Sequence, residues 1–201
     1  VTARESDLIA RAARGDRRAF DALVAPRWNR IFRIALRMLN DREESQDVAQ
    51  KSCLKLWQTL DRFRLGEDID AWIYRIVVNH CLDALRRHRV RRESPLPEHP
   101  GGFEATDGAP GPERRVLARE LERILQEITQ DLPPRQKAIF VLTRLEGMTA
   151  VQAADVLGVA ASTARNHLFQ VRTTISRRIR ERYPELLVGA ESSAGKTGGR
   201  E

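Results

Sequence analysis

Residues 93–113, ESPLPEHPGGFEATDGAPGPE, hold five of the nine prolines and four of the twelve glycines in a chain of 201 residues. Proline lacks an amide donor and glycine loses the most backbone entropy on ordering, so a run rich in both sustains neither helix nor sheet. No apolar period survives in it, and its five acids stand without a single Lys or Arg. Such a segment predicts a flexible, self-repelling linker. It divides the chain into residues 1–92, the linker 93–113 and residues 114–187. The last stretch, 188–201, has no apolar period either and is expected to be a disordered tail.

Charge follows the same division. Residues 1–92 carry 20 Lys/Arg against 13 Asp/Glu, and residues 114–201 carry 15 against 10, so two basic blocks flank an acidic strip. The formal net charge of +7 favours a polyanionic partner. No signal peptide or long apolar run is present, so a soluble, cytoplasmic chain without membrane insertion is expected. Cys53 and Cys81 have no CxxC or Cys/His spacing and read as buried thiols. No phosphate-binding glycine loop, nucleophile–base arrangement or carboxylate cluster points to an enzyme, a cofactor, a metal or a small-molecule substrate.

Outside the linker the apolar spacing is helical throughout, and no strand is needed. Ser6 is placed to cap a first helix, and Gly15-Asp16 restarts a second that Pro26 interrupts. Trp28, Ile31, Phe32, Ala35, Leu36 and Leu39 form an amphipathic stripe. Asp41 and Glu44 form a capping-box pair opening a helix to about Leu60, with Ala49, Cys53, Leu56, Trp57 and Leu60 inward. A helix from about Ala71 to His88 follows the loop RFRLGEDID. In the second half, Leu117, Leu121, Ile124, Leu125 and Ile128 make one stripe, and Pro133-Pro134 opens another helix that Gly147 closes. The fold class is all-α: two small helical domains on a linker.

The stretch TAVQAADVLGVAASTARNHLFQVR (149–172) contains two short helices hinged at Gly158. Thr149 and Gln152 make a capping box, with Val151, Ala154 and Leu157 inward. Ala164, Leu168 and Val171 give the second helix its inner stripe. Ser162, Arg165, Asn166, Phe169 and Arg172 then fall away from it, with Thr163 beside them. This reads as a helix-turn-helix offering its second helix to a DNA groove, or as an ordinary helical hairpin of a bundle.

Two other faces are left over by the core. On the 44–60 helix, Asp47, Gln50, Lys51, Leu54 and Gln58 lie opposite the apolar side, consistent with helix docking or with a solvated face. On the 71–88 helix, Trp72, Arg75, Asn79, Asp83, Arg86 and Arg87 lie opposite Ile73, Val77, Cys81 and Leu85. Arginines neutralise phosphates, an amide reads a base edge and an indole stacks on an opened base. A charged helix with a boundary tryptophan is the alternative. The basic run RRHRVRR (86–92) suits phosphate contact.

Three segments in this order, DREESQDVAQKSCLKLW (41–57), DAWIYRIVVNHCLDALRRHR (70–89) and LPPRQKAIFVLTRLEGMTAVQAADVLGVAASTARNHL (132–168), resemble bacterial RNA polymerase sigma factors of the extracytoplasmic-function type. The resemblance covers about residues 5–184. It implies a transcription-initiation factor that binds core RNA polymerase, directs it to promoter DNA and promotes strand opening. It also implies that Asp47, Gln50, Lys51, Leu54 and Gln58 meet the β′ clamp helices, with further contacts to the β subunit. The −10 element would be met by Trp72, Arg75, Asn79, Asp83, Arg86 and Arg87. Loop residues Arg64, Leu65, Glu67 and Asp68 would hold a flipped base of that element. Ser162, Thr163, Arg165, Asn166, Phe169 and Arg172 would meet the −35 element. An anti-sigma protein is implied as a further partner.

Some positions depart from the family pattern. Lys51 stands where glutamate is common, and Cys53 where a bulky apolar residue is common. Ala160 replaces the usual Ser/Thr cap, at a cost on the order of 1 kcal/mol. His167 and Gln170 stand where arginines are common. The rival reading is a stand-alone helix-turn-helix regulator that binds duplex operator DNA, though no dimerising coiled coil is evident.

Overall fold

The computed structural model describes residues 3–64, 66–92 and 112–184, and among these every regular element is helical. The first group is α1 (Ala3–Ala13), α2 (Arg17–Val24), α3 (Trp28–Leu39), α4 (Arg42–Thr59) and α5 (Ile69–Arg92). The second is α6 (Pro112–Thr129), α7 (Pro134–Phe140), α8 (Ala150–Leu157) and α9 (Ala161–Arg182). Residues 1–2, Leu65, 93–111 and the tail from 185 lie outside the described residues, and so do the side chains of Ala3, of 89–92, of 112–119 (the expected Leu117 among them) and of Glu122. Helix α6 starts at Pro112, two residues inside the segment assigned by composition to the linker.

The helix boundaries follow local chemistry. The Asp16 carboxylate accepts from Ala19 N at 3.1 Å and caps α2. Pro26 tightens the chain into a 3₁₀ turn, Ala25–Arg27, before α3. Asn40 takes the left-handed conformation (φ 58°) that ends α3, a role its small side chain tolerates. Asp41 caps α4 by accepting from Glu44 N at 2.8 Å. Only this half of the expected box forms, because the Glu44 carboxylate turns instead to His88 Nε2 at 2.6 Å and ties α4 to α5. Ser6 sits inside α1 and caps nothing, since the helix already starts at Ala3.

Helices α3, α4 and α5 pack together around Ile31, Ile34, Met38, Val48, Leu56, Ile73 and Val77, all nearly inaccessible. The inner face of α4 is set about one position from the expected stripe. Ser45, Val48, Ala49, Ser52 and Leu56 are buried, while Cys53 and Trp57 are half-buried. Trp57 meets Phe20 edge-on, with ring centroids 4.9 Å apart. Ser52 can be buried because its hydroxyl donates to Val48 O at 2.7 Å and faces His80 Nδ1 at 3.0 Å. Leu121, expected inward, is exposed, and α6 instead packs on α9 through Ile124, Ile128 and Tyr183.

The two helical groups do not stand apart. Helix α5 packs on α7 and α8, and α3 packs on α7 and on the turn after it. One continuous apolar cluster contains Val77, Cys81 and Ala84 together with Ala138, Ile139, Leu142, Ala153 and Val156.

Candidate nucleic-acid and polymerase interfaces

The helix-turn-helix is built as its residues dictate. Thr149 and Gln152 close the full capping box: Thr149 Oγ1 accepts from Gln152 N at 3.2 Å, and Gln152 Oε1 accepts from Thr149 N at 2.9 Å. Gly158 ends α8 at φ 62°, ψ 39°, where a side chain would be strained. Ala153, Ala154 and Val156 face inward, whereas Val151, expected inward, is 57% exposed. Residues 153, 154 and 156–157 therefore set the stripe, and Val151 lies on its far side. Ala160 occupies the N-cap of α9 with no side-chain hydrogen bond.

Along α9, Ala164 and Val171 are buried and Leu168 half-buried, while Ser162, Thr163, Arg165, Asn166, Phe169 and Arg172 are all exposed. At 100° per residue, 162, 165, 166, 169 and 172 share one face, with Thr163 at its margin. Phe169 is 71% exposed, unusual for a large aromatic ring. Arg165 and Arg172 form no ion pair among the described residues. The face is cationic, unpartnered and apolar at its centre, which suits a groove carrying phosphates and thymine methyls.

Helix α5 presents Arg75, Asn79, Asp83, Arg86 and Arg87 outward, with Trp72 half-buried. The Trp72 ring leans on Phe63 at 5.1 Å, which fixes the indole at the start of the face. Asp83 accepts from Arg86 Nη1 at 3.2 Å. Arg75 is engaged within the chain, donating to Asp155 Oδ2 at 2.9 Å and Asp155 O at 3.2 Å. The adjoining loop is anchored by Arg27, which donates to Leu23 O at 2.8 Å, to Asp70 Oδ1 at 2.6 Å and to Glu5. Asp68 Oδ1 accepts from Asp70 N at 2.9 Å and starts α5. Gly66, Glu67, Asp68 and Asp70 line an open hollow with Glu5 and Arg27. Arg64, Glu67 and Asp68 are exposed; Leu65 lies outside the described residues.

On α4 all five residues of the docking candidate, Asp47, Gln50, Lys51, Leu54 and Gln58, are exposed, and Leu54 is 57% so. Lys51 lies 3.8 Å from Asp47 on the same face, an exposed pair that contributes little to stability.

A further cluster was not anticipated from sequence. The Glu146 side chain, 1% exposed, meets three arginines of α3. Arg30 Nε lies 2.8 Å from Oε2, Arg37 Nη1 2.9 Å from Oε1 and Arg33 Nε 3.5 Å from Oε1. Arg30 also donates to Glu146 O at 3.1 Å and stacks over Tyr74, 5.0 Å from the ring centre. Burial pulls the Arg30 pKa down, but the Glu146 hydrogen bond and charge outweigh it and the pKa is raised. The sequence signal was the i, i+3, i+7 spacing of residues 30, 33 and 37 on one helix face.

The thiols are chemically quiet. Burial pushes the Cys53 pKa up to about 11 and that of Cys81 higher still, so neither is a thiolate near neutral pH. No His/Cys/Asp/Glu grouping among the described residues is arranged to hold a metal ion. No described helix is long and apolar enough to cross a membrane.

Comparison with known proteins places both helical groups. The family model for Sigma-70 region 2 matches residues 23–91, and that for Sigma-70 region 4 matches residues 122–175. The RNA polymerase sigma-H factor of Pseudomonas aeruginosa is 31% identical over 178 residues, spanning 86% of this chain and 92% of that protein. The RNA polymerase sigma factor CnrH of Cupriavidus metallidurans is 32% identical, spanning 84% and 91%. Among solved structures, CnrH in complex with the cytosolic domain of CnrY superposes with a TM-score of 0.66 at 24% identity, over 89% of this chain and 99% of that one. The sigma factor RpoE bound to the anti-sigma factor NepR, from Bartonella quintana, gives 0.60 at 18% identity, over 80% and 96%.

Proposed function

The chain belongs to the RNA polymerase sigma factors of the extracytoplasmic-function type, and from that premise we propose which of its faces does what. As a sigma factor it directs RNA polymerase to promoters. It works by recognition and supplies no catalytic group of its own; polymerase performs the chemistry, in the cytoplasm where both meet. The α4 face around Leu54 docks on the β′ clamp helices of core polymerase, with the β subunit as a second contact. Residues 1–92 serve the −10 element and residues 114–187 the −35 element.

Along α5, Arg75, Arg86 and Arg87 grip phosphates, Asn79 reads a base edge and Trp72 stacks against an opened pair. The loop of Arg64, Leu65, Glu67 and Asp68 receives a base turned out of the stack. Its carboxylates suit exocyclic amines, which donate, better than they suit phosphates. Unstacking costs a few kcal/mol, which a shaped hollow offsets. On α9, Ser162, Thr163, Arg165, Asn166, Phe169 and Arg172 enter the −35 major groove. An anti-sigma protein is the expected regulator; two of the structural neighbours are solved bound to such partners or to a partner's cytosolic domain.

The observation that carries this reading is the fully exposed face of α9 with Phe169 at its centre, on a helix whose other side is packed. The operator-binding alternative is not favoured, because both sigma regions match in order. Leu54→Asp tests the polymerase contact: it is expected to abolish co-purification with core enzyme while leaving the fold intact, since Leu54 is exposed. Retention at the wild-type level would remove α4 from the contact.

A further inference from the structure

Arg27 joins three helices at one guanidinium. It closes the 3₁₀ turn Ala25–Arg27 between α2 and α3, where Pro26 restricts the backbone. Its Nη1 donates to Leu23 O at 2.8 Å, in the last turn of α2, where the helix dipole favours a cation. Its Nε donates at 2.6 Å to Asp70 Oδ1, in the first turn of α5, and its Nη2 donates to Glu5, in the first turn of α1. The side chain is only 19% exposed. Burial pulls its pKa down, but the hydrogen bonds and charges of Asp70 and Glu5 outweigh it and the pKa is raised. A planar fork holds three acceptors in fixed directions, which the point charge of a lysine does not.

This junction is one wall of the open hollow beside the 64–68 loop. Four carboxylates line the hollow, those of Glu5, Glu67, Asp68 and Asp70, against the single guanidinium of Arg27. Such a lining repels phosphate and favours a group that donates hydrogen bonds. Three of the four carboxylates are already engaged. Glu5 and Asp70 are held by Arg27, and Asp68 Oδ1 accepts from Asp70 N at 2.9 Å and Ala71 N at 3.4 Å, capping α5. The Glu67 side chain is exposed and forms no hydrogen bond or ion pair among the described residues. Its backbone is turned by Glu67 N donating to Arg64 O at 3.1 Å. The loop is pinned at its ends by the buried side chains of Phe63 and Ile69. Take away the guanidinium, and Glu5 and Asp70 repel each other and loosen the start of α5 from α1.

We propose that Arg27 is a positioning residue for base selection: by bracing Glu5 and Asp70 it leaves Glu67 aimed to accept from the exocyclic amine of a base turned into the hollow, and so to discriminate against thymine. Adenine, cytosine and guanine each carry such an amine. Thymine carries carbonyl oxygens in its place, which meet the carboxylate lining as acceptor against acceptor. Arg27 itself reads nothing, since Nε, Nη1 and Nη2 each spend a proton within the chain. The inference rests on the reading given above, in which this loop receives a base of the −10 element.

The test is run-off transcription by the full chain with core polymerase, on promoters substituted at each −10 base in turn, with circular dichroism as the fold control. Wild type is expected to disfavour thymine at one −10 position. Arg27→Met keeps the stem and removes the fork. It should lower that preference by about 5-fold or more, the low end for losing a base-edge contact, and leave the other −10 positions unchanged. Arg27→Lys restores the charge without the fork and should not restore the preference. Glu5→Ala, on α1 and outside the loop, should lower the preference at the same position, and it carries the test if Arg27→Met does not fold. The positioning role is overturned by folded Arg27→Met or Glu5→Ala chains with wild-type preference, by equal losses at every promoter, or by full preference in Arg27→Lys. Thymine favoured at the position that Glu67→Ala relaxes would overturn the assigned base class. Glu67→Ala also separates the brace from the reading beneath it. If it relaxes one position while the Arg27 variants do not, only the brace fails; if it leaves every −10 preference intact, the loop reads no base and both fail.

Discussion

Lys137 is the residue whose burial is hardest to sustain. Lack of water lowers its pKa from 10.5 to about 8, with only the distant pull of Cys81 and Asp131 opposing. At neutral pH it is charged in both folded and unfolded chains, so the desolvation cost is fully present. Between about 8 and 10.5 the folded chain has released the proton and the unfolded chain has not, so stability contributed at this position rises with pH. The span corresponds to a cost on the order of 3 kcal/mol. Lys137→Met keeps the apolar stem and removes the charge. It should stabilise the chain to urea by a few kcal/mol at pH 7, with the gap narrowing from about pH 8 and closing above about 10.5. Cys53, whose pKa is raised by burial alone, pulls the other way above pH 9 in both proteins and cancels in the difference, whereas Cys81 interacts with Lys137, so the comparison is read at pH 7 to 9. A variant less stable than wild type at pH 7 would contradict this account of the site.

At the scale of the element, legibility depended on whether the signal was local. The capping box at Thr149 and Gln152 and the left-handed Gly158 are decided within a few residues, and both formed as read. The outward residues of α4, α5 and α9 are exposed because helical period alone assigns them once the inner stripe is known. Val151 and Leu121 were misplaced because an apolar residue at a helix margin has two equivalent assignments until its neighbour is known. Exposed faces imply roles that differ from helix to helix. Asn79→Ala should relax discrimination at one −10 position by about 1–3 kcal/mol, a 5- to 150-fold loss of selectivity, while core binding stays normal. Run-off assays on promoters substituted at each −10 base would show it, and equal losses on every promoter would remove Asn79 from base reading.

At the scale of the whole molecule the sequence was least informative. A proline- and glycine-rich linker implies two domains, yet says nothing of whether they touch. The closure depends on pairs 109 and 116 residues apart, Arg37 and Arg30 with Glu146, for which no periodicity exists. Glu146 in isolation reads as the polar end of a helix before Gly147. Only the packed structure shows that its carboxylate is inaccessible and its partners lie in the other domain.

The proposed role of this chain is to bring polymerase to a promoter and hold the strands apart. Permanganate reactivity of thymines around the start site, with purified chain and core polymerase on promoter templates, measures that directly. Reactive thymines are expected only when both proteins are present. Thymines that stay protected on every template, or that react with core polymerase alone, would contradict it.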